Sequence, residues 1–162
     1  MTEGPASLLG RLWPKQLDNR FEGHRAALWL LGLYVAVKLA MSLNSIFNTA
    51  AVAGGADGIQ LGSFGAAAAR EVLTLFALVG LGQLALVLLA AVALIRYRAM
   101  VPLMFLTLLG EGVARRIIVQ SFEPARTAAG SGGFWINIGL LALLALGLVL
   151  SLIPRKNNPT DD

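Results

Sequence analysis

Four stretches of apolar residues follow one another along the chain, and each is about long enough to form a helix that crosses a membrane. They cover residues 26–48, 70–95, 99–120 and 133–154. A helix needs about 20 consecutive apolar residues to cross the hydrocarbon core of a bilayer. The pattern therefore predicts an all-α fold, a polytopic bundle of four transmembrane helices within residues 26–154.

The four stretches differ in how clearly they predict a crossing. No charged residue interrupts Val72–Ile95 or Gly133–Pro154, whereas Glu111, Arg115 and Arg116 lie within the third stretch. If the third helix stopped before its first charge, the remaining dozen residues could not cross a bilayer. A re-entrant segment or a three-span protein would then result, but we expect a full crossing.

Polar segments flank the apolar region at both ends. In residues 1–25, Trp13, Leu17 and Phe21 have the spacing i, i+4, i+8 and would share one face of a helix. The opposite face would carry the polar residues Lys15, Asp18, Asn19 and Glu22. This spacing predicts an amphipathic segment that lies in the membrane interface, with a frayed tail as the alternative. Residues 155–162 form a short polar tail.

The sequence also predicts how the apolar stretches are connected. Residues 49–65 are rich in Gly and Ala and are expected to form a loop, in which Asp57-Gly58 indicates a turn. Ser63 is a candidate N-cap for the second helix. The short segment Arg96–Arg98 predicts a tight hairpin between the second and third helices, and Pro102 suits the first turn of the third.

Composition supports a membrane protein and excludes several classes of function. Hydrophobic residues make up 57% of the chain and charged residues 14%, against about 45–50% and about 25% in soluble domains. Cysteine is absent and His24 is the single histidine, which excludes disulfides, iron–sulfur clusters and bis-histidine haem. We expect no cofactor and no metal site.

The distribution of positive charge predicts orientation. Lys and Arg concentrate in residues 1–25, in the Arg96–Arg98 turn and at residues 155–156, and fewer lie on the other side of the predicted bundle. The positive-inside bias then predicts that both termini lie in the cytoplasm. We expect the membrane to be the inner or plasma membrane. The net charge of +4 follows from this flanking pattern and does not indicate a nucleic-acid partner. The expected partners are membrane lipid and either another protein or a second copy of the chain.

Polar residues inside the predicted spans form the candidate site. With the predicted boundaries, Lys38 and Glu111 each lie about 18 Å from the cytoplasmic boundary, and Gln83 lies at a similar depth. A second group extends outward from this layer. It consists of Ser42, Asn44, Asn48, Arg115, Arg116 and Asn137. A charged side chain at mid-membrane costs about 2.5–3.5 kcal/mol on insertion scales, so we expect pairing of Lys38 with Glu111 and of Glu111 with Arg115.

Two interpretations of this polar cluster remain open at the level of sequence. It is either a clamp that fixes how the helices pack, or the lining of an outward-facing cavity that binds an anion, a lipid headgroup or a proton. The chain has no nucleophile–base pair, Walker A motif or zinc-protease motif. The sequence therefore favours a non-enzymatic accessory or interaction subunit, with a small carrier or channel for an anionic or protonated solute as the alternative.

Overall fold

A computed structural model describes residues 18–154 and, before them, Gly10, Leu12, Pro14 and Gln16, without the side chain of Ala129. Four long helices dominate these residues. They are α1 (Ala26–Phe47), α2 (Ala66–Arg96), α3 (Val101–Ser121) and α4 (Ser131–Leu152). The all-helical class expected from the apolar pattern is confirmed, and no strand occurs in the described part of the chain.

Three of the helices have the character of membrane spans. Among the described residues, α1, α2 and α4 are long and apolar enough to cross a bilayer, as expected for a multi-pass membrane protein. Helix α3 has 21 residues but does not join this group, because its charged residues interrupt every window of sufficient length.

The helices alternate in direction and define two ends of the bundle. The "turn end" contains the Tyr97–Met100 connection between α2 and α3, together with the start of α1 and the end of α4. The "loop end" contains the two longer connections, residues 48–65 and 122–130. Pro102 lies in the first turn of α3, where its missing N–H has no intrahelical acceptor to lose.

The hydrophobic core lies in the half of the bundle nearest the turn end. Its largest fully buried side chains include Leu31 of α1, Phe105 and Leu108 of α3, and Leu144 of α4. Small residues of α2, Ala90 and Ala93, complete this core. By contrast, most residues of α3 beyond Gly112 are exposed. Helix α3 is therefore tightly packed near the turn end and loosely packed near the loop end.

The order of packing leaves one side of the bundle open. Helix α1 packs mainly against α2 and also against α4, and α4 packs against α3. Helices α2 and α3 are joined by a short turn but otherwise approach each other much less, and α1 and α3 are nearly diagonal. The helices thus form a ring in the order α2, α1, α4, α3, and the ring is open between α2 and α3.

Two glycines allow close helix contacts. A Cβ on Gly80 of α2 would lie 3.0 Å from the Cβ of Ser45 on α1. On α4, Gly147 receives the ring of Phe105, which lies directly over the position that a Cβ would occupy. Small residues at such crossings let helix backbones or large rings approach closely, which is how helices gain packing energy in a bilayer.

The segment before α1 crosses the turn end in an irregular conformation. The backbone N–H of Ala99 donates to the carbonyl of Asp18 at 3.3 Å, and that of His24 donates to the carbonyl of Leu150 at 3.0 Å. Phe21 packs against the core from this segment. Residues 18–24 are not helical, so the predicted amphipathic helical face does not extend to Phe21. Trp13 and Leu17 of that face, Lys15 of the opposite face, and the tail at residues 155–162 lie outside the described residues.

The loop after α1 contains more helix than its Gly/Ala content predicts. Thr49–Ala51, Val52–Ala56 and Leu61–Ser63 form short helical turns of α, π and 3₁₀ type respectively. The prediction that Ser63 caps α2 is wrong, because α2 begins after Gly65 and the Ser63 hydroxyl donates instead to the carbonyl of Gln60. Gly65 is the N-cap residue of α2, and no side chain caps this helix.

The two long loops contact each other and form what we call the "loop latch". Thr127 N donates to the carbonyl of Gly58 at 2.9 Å, and Arg126 Nη1 donates to the carbonyl of Asp57 at 2.6 Å. Gly58 has a φ of +68°, which only glycine adopts without strain. Gly130 lies directly against the Asp57 carbonyl. The latch holds the loop end together where the helices themselves are loosely packed.

Candidate functional site

The polar residues of α1, α2 and α3 meet in one narrow cleft on the inner side of the helix ring. The cleft is lined by Tyr34, Lys38, Gln83, Glu111 and Arg115, with Leu86, Val87 and Leu108 at its turn-end side. Within each helix these residues are three, four or seven positions apart or adjacent, so they share a face. The space between them is about 10 Å³, which is room for about one water molecule.

Lys38 is the most deeply buried charged residue of the cleft. Its side chain is 5% exposed, and its Nζ donates to Oδ1 of Asn137 on α4 at 3.4 Å. The orientation of the Asn137 amide is fixed, because its Nδ2 donates to the carbonyl of Gly133 one turn earlier at 2.8 Å. The Asn137 oxygen is therefore available to Lys38, and the pair links α1 to α4.

Gln83 lies between two cations, and its single amide oxygen cannot serve both. In one orientation Oε1 accepts from Lys38 Nζ at 3.3 Å, but the amide nitrogen then faces the guanidinium of Arg115. In the flipped orientation the oxygen accepts from Arg115. The flipped orientation is favoured, because it removes a contact between two sets of N–H donors. Gln83 then joins α2 to α3, and Asn137 remains the firm acceptor for Lys38.

Glu111 forms an ion pair with Arg115, one turn further along α3. This is the intrahelical pair expected from their i, i+4 spacing. The pair that we expected between Lys38 and Glu111 does not form, since Lys38 contacts amides instead. Helices α1 and α3 are nearly diagonal, which keeps the Lys38 ammonium away from the Glu111 carboxylate. Glu111 is already paired with Arg115 within α3. The side chains of Arg115 and Glu111 are 35% and 32% exposed.

The remaining predicted residues lie outside the cleft. Ser42, one turn beyond Lys38, is buried, and its hydroxyl has no hydrogen-bond partner among the residues that the structure describes. Asn48 Nδ2 donates to Oδ1 of Asn44 at 2.6 Å on the exposed loop end of α1. The guanidinium carbon of Arg116 lies 3.9 Å from the ring centroid of Phe134, so Arg116 belongs to the contact between α3 and α4.

Two residues of this region were not among the sequence predictions. Tyr34 lines the cleft, and its position one turn before Lys38 on α1 was the available signal. Asp57 reaches the same region from the loop latch. Burial raises the pKa of the Asp57 carboxyl, and the charges of Arg126, Arg115 and Lys38 lower it in part. An acid in a Gly-rich loop carries no sequence signal that it lies near an intramembrane cluster.

The polar side chains of the cleft contact one another and leave about 10 Å³ of space among them. The described residues contain no group of three or more His, Cys, Asp and Glu side chains that could hold a metal ion. No protein-family model, curated protein or solved structure matches the chain.

Proposed function

We propose that the protein is a non-enzymatic integral membrane protein that acts as an accessory or interaction subunit. The observation that carries this proposal is the cleft itself. Its polar groups contact one another, with Lys38 on Asn137, Arg115 on Glu111 and Gln83 between the two cations. The space left among them is about 10 Å³. A solute larger than water has no place there without displacing these contacts.

The same contacts support a clamp role for the polar cluster. Lys38 joins α1 to α4, and the Gln83 amide joins α2 to α3, so each of the four helices takes part. Hydrogen bonds between helices in a bilayer contribute about 0.6 kcal/mol on average and up to about 1.7 kcal/mol. Their sum is modest, but their placement at one level would fix the relative heights of the helices where apolar packing is loose.

The proposal includes α3 as a fourth membrane crossing. Its 21 residues span about 30 Å, the thickness of the hydrocarbon core. Glu111 and Arg115 pair with each other, and Arg116 covers the ring of Phe134. Both arrangements lower the cost of placing charge within a bilayer. The segment before α1 then lies at the interface of the turn end.

We place the turn end, with both chain termini, in the cytoplasm of the inner or plasma membrane, following the positive-inside bias. Single cysteines at Gly55 and Ala125, in the two loops of the loop end, test this orientation, because the chain has no cysteine of its own. A membrane-impermeant maleimide added outside intact cells should label both. Protection of either residue until the cells are opened would overturn the topology.

One experiment separates the accessory role from a carrier or channel. Purified protein is reconstituted in vesicles, and fluxes of protons, chloride and phosphate are measured for wild type, Glu111→Gln and Lys38→Met. We expect no flux above that of empty vesicles for any of the three. A flux in wild type that Glu111→Gln abolishes, in protein that keeps its helical content, would replace the accessory role with transport.

A further inference from the structure

The open side of the helix ring exposes charge where the bundle should face lipid. Helices α2 and α3 approach each other little beyond their connecting turn, and the Glu111–Arg115 pair lies on the cleft between them, about one third exposed. Hydrocarbon chains offer no hydrogen bonds to such a pair. A polar neighbour would therefore stabilise the polar groups of this opening.

Apolar side chains continue the same opening toward the loop end. Val79 precedes Gln83 by one turn on α2 and is 56% exposed. On α3, Ile118 and Val119 follow Glu111 and Arg115 at spacings of seven and four residues, so they lie on nearly the same helix face. They are 57% and 43% exposed. We call this surface, defined by Val79, Gln83, Glu111, Arg115, Ile118 and Val119, the "α2–α3 groove".

The charge of the groove region is unbalanced. Lys38 and Arg115 are both positive, and Glu111 is their only negative neighbour among the cleft-lining residues that the structure describes. At the loop latch, Asp57 and Arg126 add one charge of each sign and leave the excess unchanged. Within the described part of the chain, the acceptors of Lys38 are the amides of Gln83 and Asn137, and the Gln83 oxygen can serve one cation at a time. The region thus lacks one negative charge.

We propose that the α2–α3 groove binds a transmembrane helix of a partner protein that carries one carboxylate at the level of Arg115. The partner's apolar residues pack on Val79, Ile118 and Val119, and its carboxylate accepts from the exposed part of the Arg115 guanidinium. The added charge neutralises the excess, and buried carboxylate–guanidinium pairs are both strong and directional. This inference rests on the proposed role as an interaction subunit and names its surface and the chemistry of its partner.

Two other occupants fit the groove less well. A second copy of the chain would bring the same positive excess to the interface and so add repulsion. A free inorganic anion at the exposed part of Arg115 would lose hydration without any apolar contact to offset that cost. A carboxylate on a helix reaches Arg115 from the same open side, and the apolar residues of that helix supply the contact with the groove.

The test uses synthetic transmembrane helices as defined partners. Three peptides of leucine and alanine, each 21 residues long, carry one Glu, one Gln or one Lys a turn outward of their centre and an acceptor dye at one end. The protein carries a donor dye on a cysteine at Ser121, the end of α3 nearest the loop end. Energy transfer in reconstituted vesicles then gives the affinity of each peptide as a function of its density in the bilayer.

We expect the Glu peptide to bind about tenfold more tightly than the Gln peptide, and the Lys peptide to bind least. Arg115→Met should remove the preference for Glu, whereas Arg115→Lys should keep most of it. Arg70→Met is the matched control, because Arg70 is a cation near the loop end of α2 that does not line the cleft. It should leave the preference unchanged. Helical content of each variant shows that it is folded.

Two results would overturn the proposal. One is equal binding of the Glu and Gln peptides to folded wild type. The other is energy transfer between donor-labelled and acceptor-labelled copies of the protein without peptide, if Arg115→Met abolishes it, because the occupant would then be a second copy. Either result, obtained in vesicles without solute flux, leaves the non-transport role standing. A flux that depends on Glu111 would instead overturn the proposed function, whichever peptide binds.

Discussion

Asn137 Oδ1 lies 3.4 Å from Lys38 Nζ and accepts its hydrogen bond across the contact between α4 and α1. Because the Asn137 amide is held by the Gly133 carbonyl, its oxygen cannot turn away. The two residues are 99 positions apart in the chain. This bond therefore connects the first long helix with the last, and its loss should affect the assembled bundle more than any single helix.

Replacing Asn137 by leucine should destabilise the bundle by about 1–2 kcal/mol, because it removes the firm acceptor of a buried ammonium group. The double variant Lys38→Met/Asn137→Leu should regain most of this loss, since no unpaired charge remains. Unfolding by sodium dodecyl sulfate in mixed micelles, followed by circular dichroism, measures both. Equal losses for the single and double variants would show that the Lys38–Asn137 bond does not govern the effect.

The contact of Phe105 with Gly147 predicts an asymmetry between two glycines of α4. Phe105 is fully buried, so its ring cannot move aside for a methyl group, and Gly147→Ala should cost about 1–3 kcal/mol. Gly139 on the same helix has open space at its Cβ position. Gly139→Ala should be neutral or stabilising by up to about 1 kcal/mol, because alanine favours helix. The same micelle titration would contradict this if both variants behaved alike.

Gly58→Ala should open the loop latch. The substitution forces alanine to a φ of +68° and places its methyl group 2.9 Å from the Thr127 carbonyl oxygen, which together cost at least about 1 kcal/mol. The amide of Thr127, which donates to Gly58, should then exchange with deuterium about fivefold faster or more.

Hydrogen-exchange mass spectrometry of peptides that contain residue 127 measures this opening. Gly62→Ala serves as the control, because Gly62 lies in the same loop with open space around it and has no positive φ. If both variants speed exchange at residue 127 to the same degree, the latch does not depend on the conformation of Gly58.

The stability of the protein should fall between acidic and neutral pH because of Asp57. Burial raises the pKa of this carboxyl above its ordinary value of 3.8, although Arg126, Arg115 and Lys38 oppose the shift. A raised pKa means that the folded state favours the protonated form. The corresponding stability is complete below about pH 3.8 and is lost as the pH rises through the raised pKa.

Asp57→Asn should remove this part of the pH dependence and make the protein more stable than wild type at pH 7. Glu71→Gln, which removes one exposed carboxylate, is the control and should leave the slope of stability against pH unchanged. The measurement is the free energy of unfolding of each variant in micelles at several pH values between 4 and 7. If Asp57→Asn leaves the slope of stability against pH unchanged, Asp57 does not cause the pH dependence.

The sequence determined the helical elements well because each is a long apolar run. The predicted stretches fall on the four long helices, and Lys38, Gln83 and Glu111, which were predicted at a similar depth, line one cleft. Both inferences depend only on the rise of 1.5 Å per residue and on hydropathy. Which side chains meet at that level depends on helix order and rotation, which these quantities do not contain.

The contacts that differ from the predictions are those that depend on helix order and rotation. Lys38 contacts Asn137 and not Glu111, because α1 neighbours α4 and α2 and is nearly diagonal to α3. The contact of Phe105 with Gly147 also depends on which helices are neighbours, so hydropathy could not predict it. In residues 49–65, Gly and Ala indicated a loop, yet short helical turns form there, and the Val52–Ala56 turn ends where residues 56–59 contact residues 126–133. Tertiary contacts of this kind override local preference.

The loop latch sets the order in which the bundle can be completed. Asp57 and Arg126 are 69 residues apart in the chain, and Gly130 and Gly133 lie where the last helix begins. During synthesis, α1, α2 and α3 are complete before residues 126–133 exist, so Asp57 and Gly58 have no latch contact until those residues follow. Closure of the latch therefore requires the segment that precedes α4, and a protease acting on the Asp57 segment would distinguish chains that include residues 126–133 from shorter ones.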